Sequence, residues 1–328
     1  MYPQQFPAPA SAPPPPPSDP NQVGFNSLQT MNGPGPVDNE ERLRKFQYLV
    51  NRYEINREFA TRLRALEGYE IVFIVDDSGS MNTPLGDLSS PYDRNPTRWD
   101  ELRQTVSIVV DIASVFDPDG VGKWGNLNND NNPYLSFIYY SDIFFLNREP
   151  MRHVKHSDEL IPIFAIPPAG PTPIVRVLRY VLREKQLEIQ ERKLLLLIAT
   201  DGVPTNEQGQ QDIKSLEYAL RYDRKPINRV PVTIIACTDD GDCIGYLNDW
   251  DKKIPNLDVA DDYRSERKEI LKAQGKDFPF SFGDYVVKVL MGAVDDWFDT
   301  LDERRVTSRT GSGRQSSKGK KNKSCSIL

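Results

Sequence analysis

Residues 71–81 read "IVFIVDDSGSM". Five apolar residues in succession, closed by turn formers, describe a strand buried on both faces, the kind found in parallel sheets covered by helices. The strand stops abruptly at oxygen-bearing side chains. Asp76 ends it, and Ser78 and Ser80 follow at a spacing of two on a turn that Gly79 loosens. In a parallel α/β sheet, ligands gather beyond the carboxyl ends of the strands, so this is where a site is expected.

Working outward, apolar runs at 69–75, 136–146, 194–199 and 231–236 read as strands. Helical patterns lie between them, at about 98–116, 173–186, 211–222 and 263–273. Doubly apolar strands alternating with helices predict an α/β fold with a mainly parallel sheet covered on both sides. The stretch "FGDYVVKVLMGAVDDWFDTLDE" predicts one last helix, with Val286, Val289, Leu290, Val294, Trp297 and Leu301 along one side. Upstream, residues 38–68 predict amphipathic helices that lead into the first strand. Leu43, Phe46, Leu49, Val50 and Tyr53 form one helical face, and Phe59, Leu63 and Leu66 another.

Composition sets the ends apart. Residues 1–37 hold 11 of the 27 prolines and no Lys or Arg, which predicts a disordered arm of proline-II character. Within it, "PPPPP" at 13–17 suits a proline-recognising domain, although a solubilising spacer is the simpler reading. From Arg304 to the end there are eight Lys/Arg and no acid, so the rest of the chain carries −14 of the net −6. A body that acidic argues against nucleic acid as the main partner. No apolar run approaches the roughly 20 residues that span a bilayer, and the start lacks a secretory pattern. Three cysteines make no disulfide framework, so the expected compartment is the cytoplasm.

Asp-x-Ser-x-Ser is a weak motif alone. Two further segments strengthen it: "AGPTPI", with Thr172 just before a helix, and "LLLLIATDG", where Asp201 ends another doubly apolar strand. Together these residues resemble the metal-ion-dependent adhesion site of von Willebrand factor type A domains, over about residues 69–300. The resemblance implies a doubly wound, mostly parallel six-stranded sheet with helices on both faces. It also implies that Ser78, Ser80 and Thr172 bind Mg2+ or Mn2+ directly, with Asp76 and Asp201 holding it directly or through water. Because few carboxylates then touch the ion, it keeps positive charge and attracts a Glu or Asp of a partner protein. The family usually has paired glycines before the threonine, whereas Pro171 follows Gly170 here, which stiffens that loop.

Other signals weigh less. Gly120, Gly122 and Gly125 spell G-x-G-x-x-G, but they follow a helix and lead into asparagines, within a stretch (120–136) that reads as a surface insertion. There is no P-loop. His153 and His156 stand three apart in "MRHVKHSDE", which reads as an exposed connection with a solvated pair. Cys237 reads as a small buried hydrophobe, and Cys243 as a half-buried structural thiol. An aspartyl-phosphate phosphatase would need a second Asp at position 78, where serine stands.

The chain closes on Cys325-Ser326-Ile327-Leu328, which fits the C-a-a-X prenylation pattern behind a polybasic stretch. The expected domains are thus an arm (1–37), a helical lead-in (38–68), an adhesion-type domain (69–303) and a basic tail (304–328). The expected function is cation-dependent protein binding without turnover. The protein would be tethered to an anionic cytosolic membrane face through Cys325. The alternatives are a metal-dependent hydrolase or phosphotransferase, or a scaffold with a vestigial metal site.

Overall fold

The computed structural model describes residues 36–86, 95–116, 141–238, 240–247 and 250–303. The proline arm with 13–17, the 120–136 insertion with its glycines, the Cys243 side chain and the tail with Cys325 lie outside the described residues.

Six strands form one sheet: β1 (Tyr69–Val75), β2 (Ser141–Phe145), β3 (Met151–Val154), β4 (Lys193–Thr200), β5 (Val232–Ala236) and β6 (Leu257–Ala260). Their order is β3-β2-β1-β4-β5-β6, with every pair parallel except β2 and β3. The fold is therefore α/β with a six-stranded, mostly parallel sheet. Side chains of a strand alternate between faces, and the core follows that period of two. Ile71, Phe73 and Val75 enter one hydrophobic cluster with Leu195, Leu197 and Ala199. Val72 and Ile74 enter a second, with Leu194, Leu196 and Ile198.

The chain leaves β1 for the helix Arg98–Phe116, which supplies Val106, Val109 and Ile112 to the first cluster. It leaves β4 for the helix Ile213–Tyr218, whose Leu216 joins the second. β1 and β4 are neighbours at the centre, and the helices that follow them join different hydrophobic clusters. A crevice opens beyond the strand ends at such a point.

Several expectations change. The connection around "MRHVKHSDE" contains β3, an antiparallel edge strand paired through Ser141 with Val154 and Ile143 with Met151. β6 is the other strand the apolar runs did not mark; it is four residues long and includes the buried acid Asp258. The helix expected over 173–186 divides at Lys185 into Ile174–Glu184 and Gln186–Glu191. The last helix runs only over Phe282–Met291, and turns then lead to the short helix Thr300–Glu303. Phe298 and Leu301 still reach the core. At the break, a Cβ on Gly292 would stand 1.9 Å from Asp258 Oδ2, so the two elements meet too closely for a side chain there.

Upstream helices occupy Pro36–Arg52 and Arg57–Arg62. Leu49, Phe59, Leu63 and Leu66 are buried, but Leu43 is exposed. The Asn56 N–H donates to Asp284 Oδ1 at 2.6 Å, and Phe59 packs edge-on against Phe298. The lead-in thus shares the core of the sheet domain. Among the described residues, no helix is long and apolar enough to cross a membrane.

Candidate metal centre

β1 does not end at Val75 in hydrogen bonding. The Asp76 N–H still donates to the Ala199 carbonyl at 3.0 Å, which carries its carboxylate to the sheet edge. There the side chain is fully buried, and both oxygens accept hydrogen bonds. The Ser78 N–H donates to Oδ1 at 2.9 Å, closing an Asx turn, and the Thr200 hydroxyl donates to Oδ2 at 2.6 Å. That turn aims Ser78 at the first turn of a 3-10 helix, Gly79–Asn82, which carries the exposed Ser80. The two serine hydroxyls lie 3.1 Å apart.

Across the crevice, Asp201 follows β4. The Ser80 hydroxyl donates to Asp201 Oδ1 at 2.7 Å, joining residues 121 apart in sequence. Asp201 Oδ2 accepts from Arg98 Nη1 at 2.8 Å, and Arg98 Nη2 donates to the Thr238 hydroxyl at 2.6 Å.

Thr172 comes from a third loop. Its backbone pairs with Thr205: the Thr205 N–H donates to the Thr172 carbonyl at 2.9 Å, and the Thr172 N–H to the Thr205 hydroxyl at 3.2 Å. Its Oγ1 lies 3.9 Å from where a Cβ on Gly202 would stand, next to Asp201. The hydrogen bonds that link the other four residues do not include the Thr172 hydroxyl. Asp76, Ser78, Ser80 and Asp201 are thus tied into one chain of contacts, and Thr172 stands beside it.

The Thr172 loop is held by groups that sequence reasoning missed. Gly79 N–H donates to the Gly170 carbonyl, Ala169 N–H to the Asp77 carbonyl, and the Asn147 amide to the Pro171 carbonyl. Gly170 has φ +116°, and a Cβ there would meet Asn147 at 2.6 Å, so glycine is required twice over. Asn147 and Arg148 follow β2 at the same edge. The Asn147 N–H and side chain both donate to Asp77 Oδ1, and Arg148 Nε lies 3.0 Å from Asp77 Oδ2. Arg148 also donates to the carbonyls of Ile163, Ile166 and Pro167. The second aspartate of "VDDSGS" therefore braces the loops.

Burial pushes the Asp76 carboxyl up to about 6, the Asp201 carboxylate adding to the shift while hydrogen bonds from Ser78 and Thr200 oppose it. Burial likewise raises Asp77, against Asn147 and Arg148. At the end of β5, burial raises the Cys237 thiol well above its ordinary value, which leaves it a core thiol. The His156 N–H donates to Glu159 Oε1 at 2.9 Å at the start of the 3-10 helix Ser157–Leu160, and His153 sits on β3. Among the described residues, no three His, Cys, Asp or Glu side chains gather as a metal-holding group. The centre supplies two carboxylates and three hydroxyls, all oxygen. That set suits a hard divalent cation. Asp76 supports the fit, being a buried acid stabilised by hydrogen bonds with no basic side chain bonded to it among the described residues.

No family model matches the chain, and no curated protein matches it.

Proposed function

We propose that residues 69–303 form a doubly wound domain of the von Willebrand factor type A class. Its centre holds Mg2+ or Mn2+ and uses the ion to capture a partner protein. Ser78, Ser80 and Thr172 would bind the ion directly, and Asp76 and Asp201 directly or through water. The observation that carries this reading is the 2.7 Å hydrogen bond from Ser80 to Asp201 at the crevice between the two central strands. It brings the ends of β1 and β4 to one point, where the five candidate side chains offer only oxygen. An ion held mainly by neutral hydroxyls keeps charge to offer a Glu or Asp of the partner. The hydroxyl-rich ligand set is what favours binding here over turnover.

Beside Thr172, a groove of about 760 Å3 runs along the helix Ile174–Glu184, from Pro173 and Thr205 past Arg176, Arg179 and Arg183. Its lining is mixed, with Arg176, Arg179, Arg183 and Lys225 set against Glu207, Asp212 and Asp223, and Arg179 pairs with Asp223 at 2.8 Å. The tail reading extends the proposal: Cys325 and the eight basic residues before it would tether the protein to an anionic membrane face.

Calorimetry tests the centre. Mg2+ should bind wild type and fail to bind Asp76→Ala, with the far-ultraviolet circular dichroism of the two alike. Unchanged affinity in the variant defeats the assignment. Partner capture from lysate should fall with EDTA.

A further inference from the structure

Asp76 and Asp201 share the candidate centre, yet among the described residues only Asp201 meets a basic side chain. Arg98 is the first residue of the helix Arg98–Phe116, and its N–H donates to the Thr83 carbonyl at 3.0 Å, beside the serine turn. Thr97 and Asp100 cap that helix start through reciprocal hydrogen bonds, which fixes where Arg98 emerges. The guanidinium is mostly buried, at 15% exposure, against an Asp201 side chain that is fully buried. Its two terminal nitrogens are spent on Asp201 Oδ2 and the Thr238 hydroxyl. Asp201 is thereby turned so that Oδ1 alone faces Ser80.

Resting on the reading of this centre as a divalent-cation site, we propose that Arg98 is its internal counter-cation and positioning residue. It occupies the outer oxygen of Asp201 and presents the inner one to the serine turn. It also subtracts one unit of negative charge from a site that has only two. Two effects follow from that single contact. The ion is held more weakly than the same oxygens would hold it alone, because a fixed positive charge stands across one carboxylate from it. The ion's own charge is also less neutralised within the site, and so acts more strongly on an acid brought by a partner. In the absence of an ion, Arg98 keeps Asp201 from being a buried carboxylate without a cation. Arg98 is thus the occupant that a divalent cation partly relieves.

The full chain tests this with Arg98→Gln, which keeps hydrogen-bonding capacity and removes the charge, and with Arg98→Lys, which keeps the charge. Titration calorimetry with Mg2+ should show Arg98→Gln binding about tenfold tighter than wild type, as expected for removing a like charge a few ångströms away. Arg98→Lys should stay within about threefold of wild type, since its charge is retained. The gain in melting temperature on adding Mg2+ supplies a readout that a purely structural role would not move. In EDTA, Arg98→Gln should melt below wild type, and saturating Mg2+ should raise its melting temperature by more than it raises that of wild type. Should Arg98→Gln fail to fold, Arg98→Met, which removes the same charge and keeps the length and packing of the side chain, should tighten Mg2+ likewise. Wild-type or weaker Mg2+ affinity in the folded Arg98→Gln, or in Arg98→Met where that stands in for it, overturns the inference while leaving the site reading intact. Wild type that binds neither Mg2+ nor Mn2+ overturns both.

Discussion

Strand β1 carries a buried acid at each end, and the two are treated in opposite ways. Glu70, at the start, lies 2.5 Å from Lys185 Nζ and 3.0 Å from Arg192. Lys185 also reaches Asp142 of β2 at 2.6 Å, and Arg152 pairs with Glu184 at the rim. Asp76, at the other end, receives only hydrogen bonds from Ser78 and Thr200. Burial alone would drag the Lys185 ammonium down, but Glu70 and Asp142 more than reverse this and leave its pKa raised. Asp76 has no such partner, and its carboxyl is raised towards neutrality. One end of the strand is closed electrostatically from within. At the other, Asp76 meets hydrogen-bond donors, with Arg98 one carboxylate away, and this is where the proposed cation would bind.

Breaking the closed end should have the largest effect. Lys185→Met leaves Glu70 and Asp142 buried with their shared cation gone, which typically costs about 3–5 kcal/mol. Urea unfolding should show that loss with and without Mg2+ alike, because the ion acts at the opposite edge. Rescue by Mg2+ would mean the two ends are not separate.

A third buried acid sharpens the contrast. Asp258 on β6 lies near Lys288, Glu266, Asp302, Asp299 and Asp251, and its Oδ2 lacks a hydrogen-bond partner. Burial raises its carboxyl to about 6, with Lys288 opposing the shift. An acid whose folded pKa exceeds its unfolded value binds its proton better when folded. Its stabilising contribution is therefore present below about pH 4 and lost as pH rises through about 6. Asp258→Asn should thus raise stability by about 2 kcal/mol at pH 8 and change little at pH 4, by the same linkage. A pH-independent difference between the two proteins would show that Asp258 does not titrate there.

At the open end, Asp76→Asn keeps an acceptor for the Ser78 N–H, turns the Thr200 hydroxyl from donor to acceptor, and removes the uncompensated charge. In EDTA at pH 8 it should equal or exceed wild type in stability, by about 1–2 kcal/mol. In saturating Mg2+ the order should reverse, since only wild type gains from the ion. Melting curves in the two buffers decide it. A variant less stable than wild type in EDTA would place Asp76 with Glu70, as an acid already satisfied.

The difference between the two ends also explains what could be read in the chain. β1 and β4 were legible because burial on both faces leaves a long apolar run, 71–75 in one and 194–199 in the other, and Asp76, Ser78, Ser80 and Asp201 stood out as the oxygens that follow them. β3 and β6 lie at the sheet edges, where Arg152, His153 and Asp258 interrupt a short apolar pattern. The division at Lys185 and the break at Gly292 depend on partners distant in sequence, Glu70 and Asp142 for one and Asp258 for the other. Arg98 opens a helix with the composition of any exposed helix start, and nothing local marks it as Asp201's partner. Asn147 and Arg148 close a loop that only the sheet order brings beside Asp77.

The smallest effect on stability should come from Thr172→Ala. Thr172 sits beside the chain of contacts that joins the other four residues, and its backbone, not its hydroxyl, makes the bonds to Thr205. Removing the hydroxyl therefore breaks no bond in the ion-free protein, and the stability change in EDTA should stay within about 0.5 kcal/mol, as for substitutions away from packed or bonded features. With an ion bound, the same hydroxyl would be one of three neutral ligands, and its loss should weaken Mg2+ several-fold by calorimetry. That pairing, silent without the ion and costly with it, separates a ligand from a structural residue. Ser80→Ala should differ, because the Ser80 hydroxyl bonds Asp201 even in the ion-free protein. If Thr172→Ala lowered stability in EDTA while leaving Mg2+ affinity unchanged, Thr172 would belong to the loop's scaffold with Asp77 and Asn147. The cation would then be left to the other four residues.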